Sequence, residues 1–229
     1  MNTELNVHWS TGNMKLRELA DYLGIPKNHV VGWDLPAGWS CPAADICLSK
    51  TDRITGKITD YGSIRCYAAN IEAYSPQARK AHWRNYEAVK GLTASQVFEV
   101  LSASIPKQAE VVRIHASGDF FSKRYFQGWV KFAQSRPDLI FFGYTKVLPY
   151  VKAELPENMS LVYSFGGKMD GLVTPDVPVS YIVQNIEEAL ARGLTVGCPE
   201  SNPSGDFDLI RAGLSFALPI HGTQPAKKR

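Results

Sequence analysis

Apolar residues recur at helical spacing from Met14 to Leu23, where Leu16, Leu19, Ala20 and Leu23 share one face and Gly24 with Pro26 ends the run. From His29 to Leu35 the pattern becomes the nearly continuous apolar run of a short strand, stopped at Pro36-Ala37-Gly38. Residues 39–66 follow neither period. Beyond them the two patterns alternate. Helices are predicted at 76–90, at 94–104 with Thr93 placed to cap it, at 122–135, at 148–154 and at 185–192. Strands are predicted at 110–116, 139–144, 160–164, 178–183, 194–197 and 215–220. Such alternation means βαβ units on a mostly parallel sheet. The class is α/β, as an open sheet or, the arrangement favoured, a partial, barrel-like (TIM-type) layer. The expectation is a single domain over 1–229, with 1–13 polar and loose.

Composition narrows this picture only slightly. The 229 residues are enough to bury a proper core, and 45% hydrophobic with 21% charged residues is ordinary for a globular domain. A net charge of +3 does not by itself argue for nucleic acid. No apolar run approaches the roughly 20 residues that span a bilayer, so no membrane partner is expected. The start Met1-Asn2-Thr3-Glu4 lacks a basic region followed by an apolar stretch, which points to a reducing cytoplasm. Nothing bears on oligomeric state.

In a reducing compartment, cysteines in a polar segment more often bind metal than pair with each other. The four cysteines are Cys41, Cys47, Cys66 and Cys198, with five, eighteen and 131 residues between successive members. Three fall in the aperiodic 39–66 stretch, and a long irregular segment in a compact domain is usually functional or pinned by something. Thiolate-only ligation suits an iron–sulfur cluster or zinc. Cys198, after the predicted strand at 194–197, either closes the site as a fourth ligand or leaves one metal position open. The competing reading makes all four small buried apolar residues.

Three predicted strands end in polar groups: His115-Ala116-Ser117-Gly118-Asp119, Tyr144-Thr145-Lys146 and Tyr163-Ser164-Phe165-Gly166-Gly167. In a parallel sheet these ends converge on one face, where ligands bind. Asp119 and Lys146 are the candidate catalytic or charge-binding residues for a small molecule. Ser117 and Ser164 belong to the same ends, and Gly118, Gly166 and Gly167 let backbone N–H groups come close. The alternative is local: Ser-Gly-Asp as a turn, with Asp119 or Ser122 capping the next helix, and His115 as a core residue. Glu187 and Glu188 are adjacent on a helix and do not face each other.

A nucleic-acid-binding module with structural zinc, or a host-interaction protein, is the competing function. Leu16 to Trp33 mimics a helix-turn-helix, though Pro26, Gly32 and Pro36 leave a poor recognition helix. Arg79 to Tyr86 mixes basic and aromatic residues, as nucleic-acid surfaces and ordinary amphipathic helices both do. No Ser-His-Asp arrangement, P-loop, Rossmann fingerprint or zinc-protease motif is present.

Leu35-Pro-Ala-Gly-Trp-Ser-Cys-Pro-Ala-Ala-Asp45, Arg65-Cys-Tyr-Ala-Ala69, His115-Ala-Ser-Gly-Asp-Phe-Phe121, Tyr144-Thr-Lys146 and His221-Gly-Thr-Gln-Pro225 resemble the phage gene product 88 domain family from about residue 30 onward. That resemblance implies a phage source and so a host-cytoplasmic location. More distantly, a three-cysteine loop after the first strand with Tyr67 beside the last cysteine is similar to radical S-adenosylmethionine proteins. The order of strand ends is similar to spore photoproduct lyase. This second resemblance implies a 4Fe–4S cluster on Cys41, Cys47 and Cys66, S-adenosylmethionine on the open iron, Asp119 near its amino group, and Lys146 and Ser164 in the cleft. The cysteine spacings here are wider than that layout uses.

Overall fold

The computed structural model describes residues 6–197, 204–220, 223 and 224. Strand β1 (Val30–Trp33) leads to a hairpin of β2 (Ser49–Thr51) and β3 (Ile58–Asp60), then to β4 (Val111–Ile114), β5 (Ile140–Thr145), β6 (Met159–Ser164), β7 (Val179–Val183) and β8 (Phe216–Pro219). The main sheet has six strands, all pairs parallel, in the order β1-β4-β5-β6-β7-β8. Every residue of β1 and β4 is buried. Parallel sheets covered on both faces select such near-continuous apolar runs.

Two layers cover the sheet. On one face pack α3 (Pro76–Val89), α4 (Ala94–Ser104) and α5 (Lys123–Ser135), through Val89, Val97, Leu101, Tyr125, Trp129 and Phe132 against Val31, Val112, Ile114 and Phe141. Trp9, Trp33 and Trp129 meet there edge to face at 4.9–6.2 Å. After β5 and β7 come the short helices α6 (Leu148–Val151) and α7 (Ile186–Ala191), and on the other face α1 (Met14–Leu23) and α8 (Phe207–Arg211) pack Leu16, Leu19, Phe207 and Ile210 against Val30, Val111, Phe142, Val162 and Phe216. The helices start where the sequence signals them. Asn13 caps α1, Thr93 and Gln96 form a capping box on α4, and Ser122 caps α5.

The sheet is not a closed barrel. Among the described residues β1 and β8 do not pair, and each edge carries a single bridge, Ser10 to Gly32 and Val196 to Ala217. The strand expected at 194–197 is thus one bridge at Val196. The segment expected to be loose is tied down from residue 8. The His8 amide donates to Asn85 at 2.7 Å, Trp9 is buried, and Ser10 exchanges two backbone hydrogen bonds with Gly32 at 2.8 Å.

The likeness of Leu16 to Trp33 to a helix-turn-helix does not hold, because Val30–Trp33 is a sheet strand with every residue buried, as the run from His29 to Leu35 predicts. The 39–66 stretch is not aperiodic either. It contains the β2–β3 hairpin and runs into an unpredicted helix, α2 (Tyr67–Tyr74). Its pins are ordinary contacts. Ser49 Oγ donates to Asp60 at 2.8 Å, Trp39 Nε1 donates to the Thr51 carbonyl at 3.0 Å, and Arg65 forms a forked pair with Asp60.

Candidate metal centre and strand-end cavity

Strands β4 to β8 all point their carboxyl ends toward one cavity of about 200 Å³. Cys41, Cys47 and Cys66 line it together with Tyr67, Ser117, Gly118, Asp119, Lys146 and Ser164. The loop after β1 and the turn after β4 meet at this mouth because a glycine in each allows close approach. Gly38 has φ 71°, and any Cβ there would strike the Ser49 carbonyl. Gly118 has φ 90°, and a Cβ would lie 2.6 Å from both Leu35 Cβ and Ser40 Oγ.

The three described cysteines are free thiols and act on one another electrostatically. Burial, with the Asp119 charge and the other two thiols, pushes Cys41 well above the ordinary thiol range. Burial and Cys47 push Cys66 up to about 11, against N–H contacts from Ala69 and Ala68 in the first turn of α2. Cys41 and Cys66 are therefore protonated thiols at neutral pH. Among the described residues no three His, Cys, Asp or Glu side chains converge on a single ion. Cys198 lies outside the described residues. A mononuclear zinc needs its ligands around one atom at about 2.3 Å. In an iron–sulfur cluster each thiolate would sit on its own iron rather than on a shared ion.

The strand-end residues are heavily committed. Asp119 is buried, and its carboxylate accepts from Thr145 Oγ1 at 2.7 Å, the Lys146 amide at 2.9 Å and the Phe120 amide at 2.6 Å. Burial raises its pKa against those bonds. It stitches β4 to β5, while Ser122 performs the capping. Lys146 Nζ donates to the Ser164 carbonyl and hydroxyl at 2.9 and 3.1 Å and to the Phe165 carbonyl at 2.8 Å. Those three bonds use all its donors and tie β5 to β6. Ser117 Oγ donates to the Leu35 carbonyl at 2.8 Å, and Tyr67 Oη to the Ala116 carbonyl at 2.6 Å.

Gly166 and Gly167 are not among the lining residues. Their N–H groups, expected to face a ligand, donate to Asp170 at 2.9 Å each. They seat the cysteine loop instead: the Ile46 amide donates to the Gly166 carbonyl at 3.2 Å, and Ala44 bridges Gly167. His115 is a core residue at φ 61°, bonded through Nε2 to Tyr125 at 2.9 Å, and burial lowers its pKa to about 3.

Below the cysteine loop, Glu72 is fully buried. Its Oε1 accepts from the Ala37 amide at 2.9 Å and pairs with His82 at 2.8 Å. Burial pulls His82 down, yet that bond and the Asp34 and Glu72 charges leave its pKa raised. Arg79 also points inward, onto the Glu72, Arg53 and Ile54 carbonyls. Arg79 and His82, in the stretch that suits either a nucleic-acid surface or an ordinary amphipathic helix, therefore hold the loop from beneath.

Sequence reasoning missed Arg113. It stands in β4 among Val111, Val112 and Ile114 and lines the cavity with Tyr144. A charge inside a wholly apolar strand was the available signal.

Fold and site together define a parallel α/β protein with a thiol-lined cavity at the carboxyl ends of its strands. The profile of the family Gene product 88 matches residues 7–217, and the chain belongs to that family. It is 26% identical to the Gene 88 protein of Mycobacterium phage D29, over 90% of this chain and 83% of that one. It is 24% identical to the Gene 88 protein of Mycobacterium phage L5, over 88% and 82%. No solved structure matches the chain. Among the described residues no helix is long and apolar enough to cross a membrane.

Proposed function

We propose that this is a phage iron–sulfur protein in which Cys41, Cys47 and Cys66 hold a 4Fe–4S cluster beside a cavity that takes a small molecule. The observation that carries the reading is that three free thiols from one connection line the cavity onto which the strand ends open. When bound with three protein thiolates, such a cluster supplies an open iron for a small ligand, S-adenosylmethionine in the radical-enzyme version of this reading. The chain's own residues do the rest. The Asp119 and Lys146 networks fix β4, β5 and β6 to one another, and Tyr67 and Ser117 shape the wall. The strand order, always advancing one way, supports a partial-barrel reading in which the cluster loop covers the mouth.

The test is iron, sulfide and zinc content with a visible spectrum, on protein purified without oxygen. About four iron and four sulfide per chain are expected. Cys41→Ser, Cys47→Ser and Cys66→Ser should each lose most of the cluster while keeping the far-ultraviolet circular dichroism of the parent. Cys198→Ser separates an open site from a closed one. Stoichiometric zinc without sulfide, or clusters retained in all three variants, would defeat the proposal.

A further inference from the structure

Arg113 is 5% exposed, in the middle of the sheet face that carries α1 and α8. A guanidinium offers five N–H donors and is normally buried only when they are used. Here its Nε–H is buried without a partner. Its NH2 lies 3.9 Å from Asp206 Oδ2, beyond hydrogen-bond reach, and Tyr144 Oη already donates to that oxygen. The Tyr144 ring lies 5.8 Å from the guanidinium carbon, and Tyr67 and Asp34 also act on its charge. Arg113 lines the same cavity as the cysteines, with Lys15, Tyr67 and Tyr144. It precedes the end of β4, whereas the cysteines lie on connections beyond strand ends, so it belongs to the deeper part of the cavity.

We propose that Arg113 is the binding site for an oxyanion, a carboxylate or phosphate carried by a small organic ligand whose remainder extends toward the thiol-lined mouth. The argument is geometric. A planar fork with an unused Nε–H and an NH2 beyond hydrogen-bond reach of its neighbouring carboxylate matches a two-oxygen acceptor, and in a cavity an anion, unlike a fixed side chain, can come and go. The site does not depend on whether the cysteines hold metal.

Thermal unfolding of the full chain is compared in sodium phosphate, sodium acetate and sodium chloride at equal ionic strength, for the parent and for Arg113→Met. Phosphate or acetate should raise the parent midpoint above chloride in proportion to the logarithm of its concentration, and Arg113→Met should lose that excess. A response to phosphate alone assigns a phosphorylated ligand; a response to acetate alone assigns a carboxylate. If Arg113→Met does not fold, Arg113→Lys carries the comparison. Its lost fork should weaken the anion at least tenfold, read by titration calorimetry. No excess over chloride in the parent, or an excess unchanged in the variant, overturns the proposal.

Discussion

His115 shows how a single position serves the strand end at a cost in acid. It occupies the left-handed region at φ 61°, unusual for a residue with a Cβ, and the chain turns there from β4 toward Ser117. Its ring stacks on Tyr125 and meets Phe120 and Trp129 edge-on, with Nδ1 unpartnered. Burial lowers its pKa from 6.5 to about 3. Below 6.5 the unfolded chain therefore binds a proton that the folded chain refuses. The stability this gives is present above pH 6.5 and is lost as pH falls toward 3, at about 1.4 kcal/mol per unit. His115→Asn keeps a residue that tolerates this backbone and removes the titration. It should flatten the fall in denaturant-measured stability between pH 7 and pH 4; an unchanged slope assigns the acid sensitivity elsewhere.

At the scale of elements, the α4–α5 pair carries much of the outer face, and one glycine sets its spacing. Gly128 lies inside α5, and a Cβ there would sit 2.5 Å from Val97 Cβ and 3.1 Å from the Ala94 carbonyl. Helix propensity alone favours Gly128→Ala by about 1 kcal/mol. Overpacking a tight contact costs roughly 1–3 kcal/mol. The substitution is expected to destabilise in chemical denaturation, and adding Val97→Ala should recover part of the loss. A stabilised single variant would mean that the helices stand further apart. The periodic pattern of these helices was readable because each buries one full stripe, with Tyr125, Phe126, Trp129, Phe132 and Ala133 in α5. The hairpin and α2 were not. Strands of three residues are too short to show alternation, and the eight residues of α2 place Ala68, Ala69, Asn70 and Glu72 inward, so polarity does not mark its buried side.

Across the whole molecule the sheet has one thin seam. Strands β5 and β6 pair over five residues, whereas β6 and β7 pair only at Tyr163–Val179 and Ser164–Ser180. Backbone amides of β7 and β8 are expected to exchange through a partial opening, ahead of β1, β4 and β5. Native-state hydrogen exchange reads this directly, and uniform protection across the seam would contradict it. The alternation of the longer strands and helices, the caps at Thr93 and Ser122 and the parallel α/β class were written in the local sequence, whereas the β2–β3 hairpin, α2 and α8 were not. Period, capping chemistry and strand hydrophobicity act over a few residues, and those distances survive without a fold. Which polar groups are spent and which stay available was decided only by tertiary structure. Asp119, Lys146, Gly166 and Gly167 looked available, but each finds its partner on another strand end or a neighbouring turn. Arg113 went unread and keeps a buried Nε–H without a partner, because the groups nearest it, Tyr144 of β5 and Asp206 at the start of α8, lie far along the chain. A hydrogen bond is local in space but not in sequence, so the longer elements were legible in the chain and the accounting of their polar groups was not.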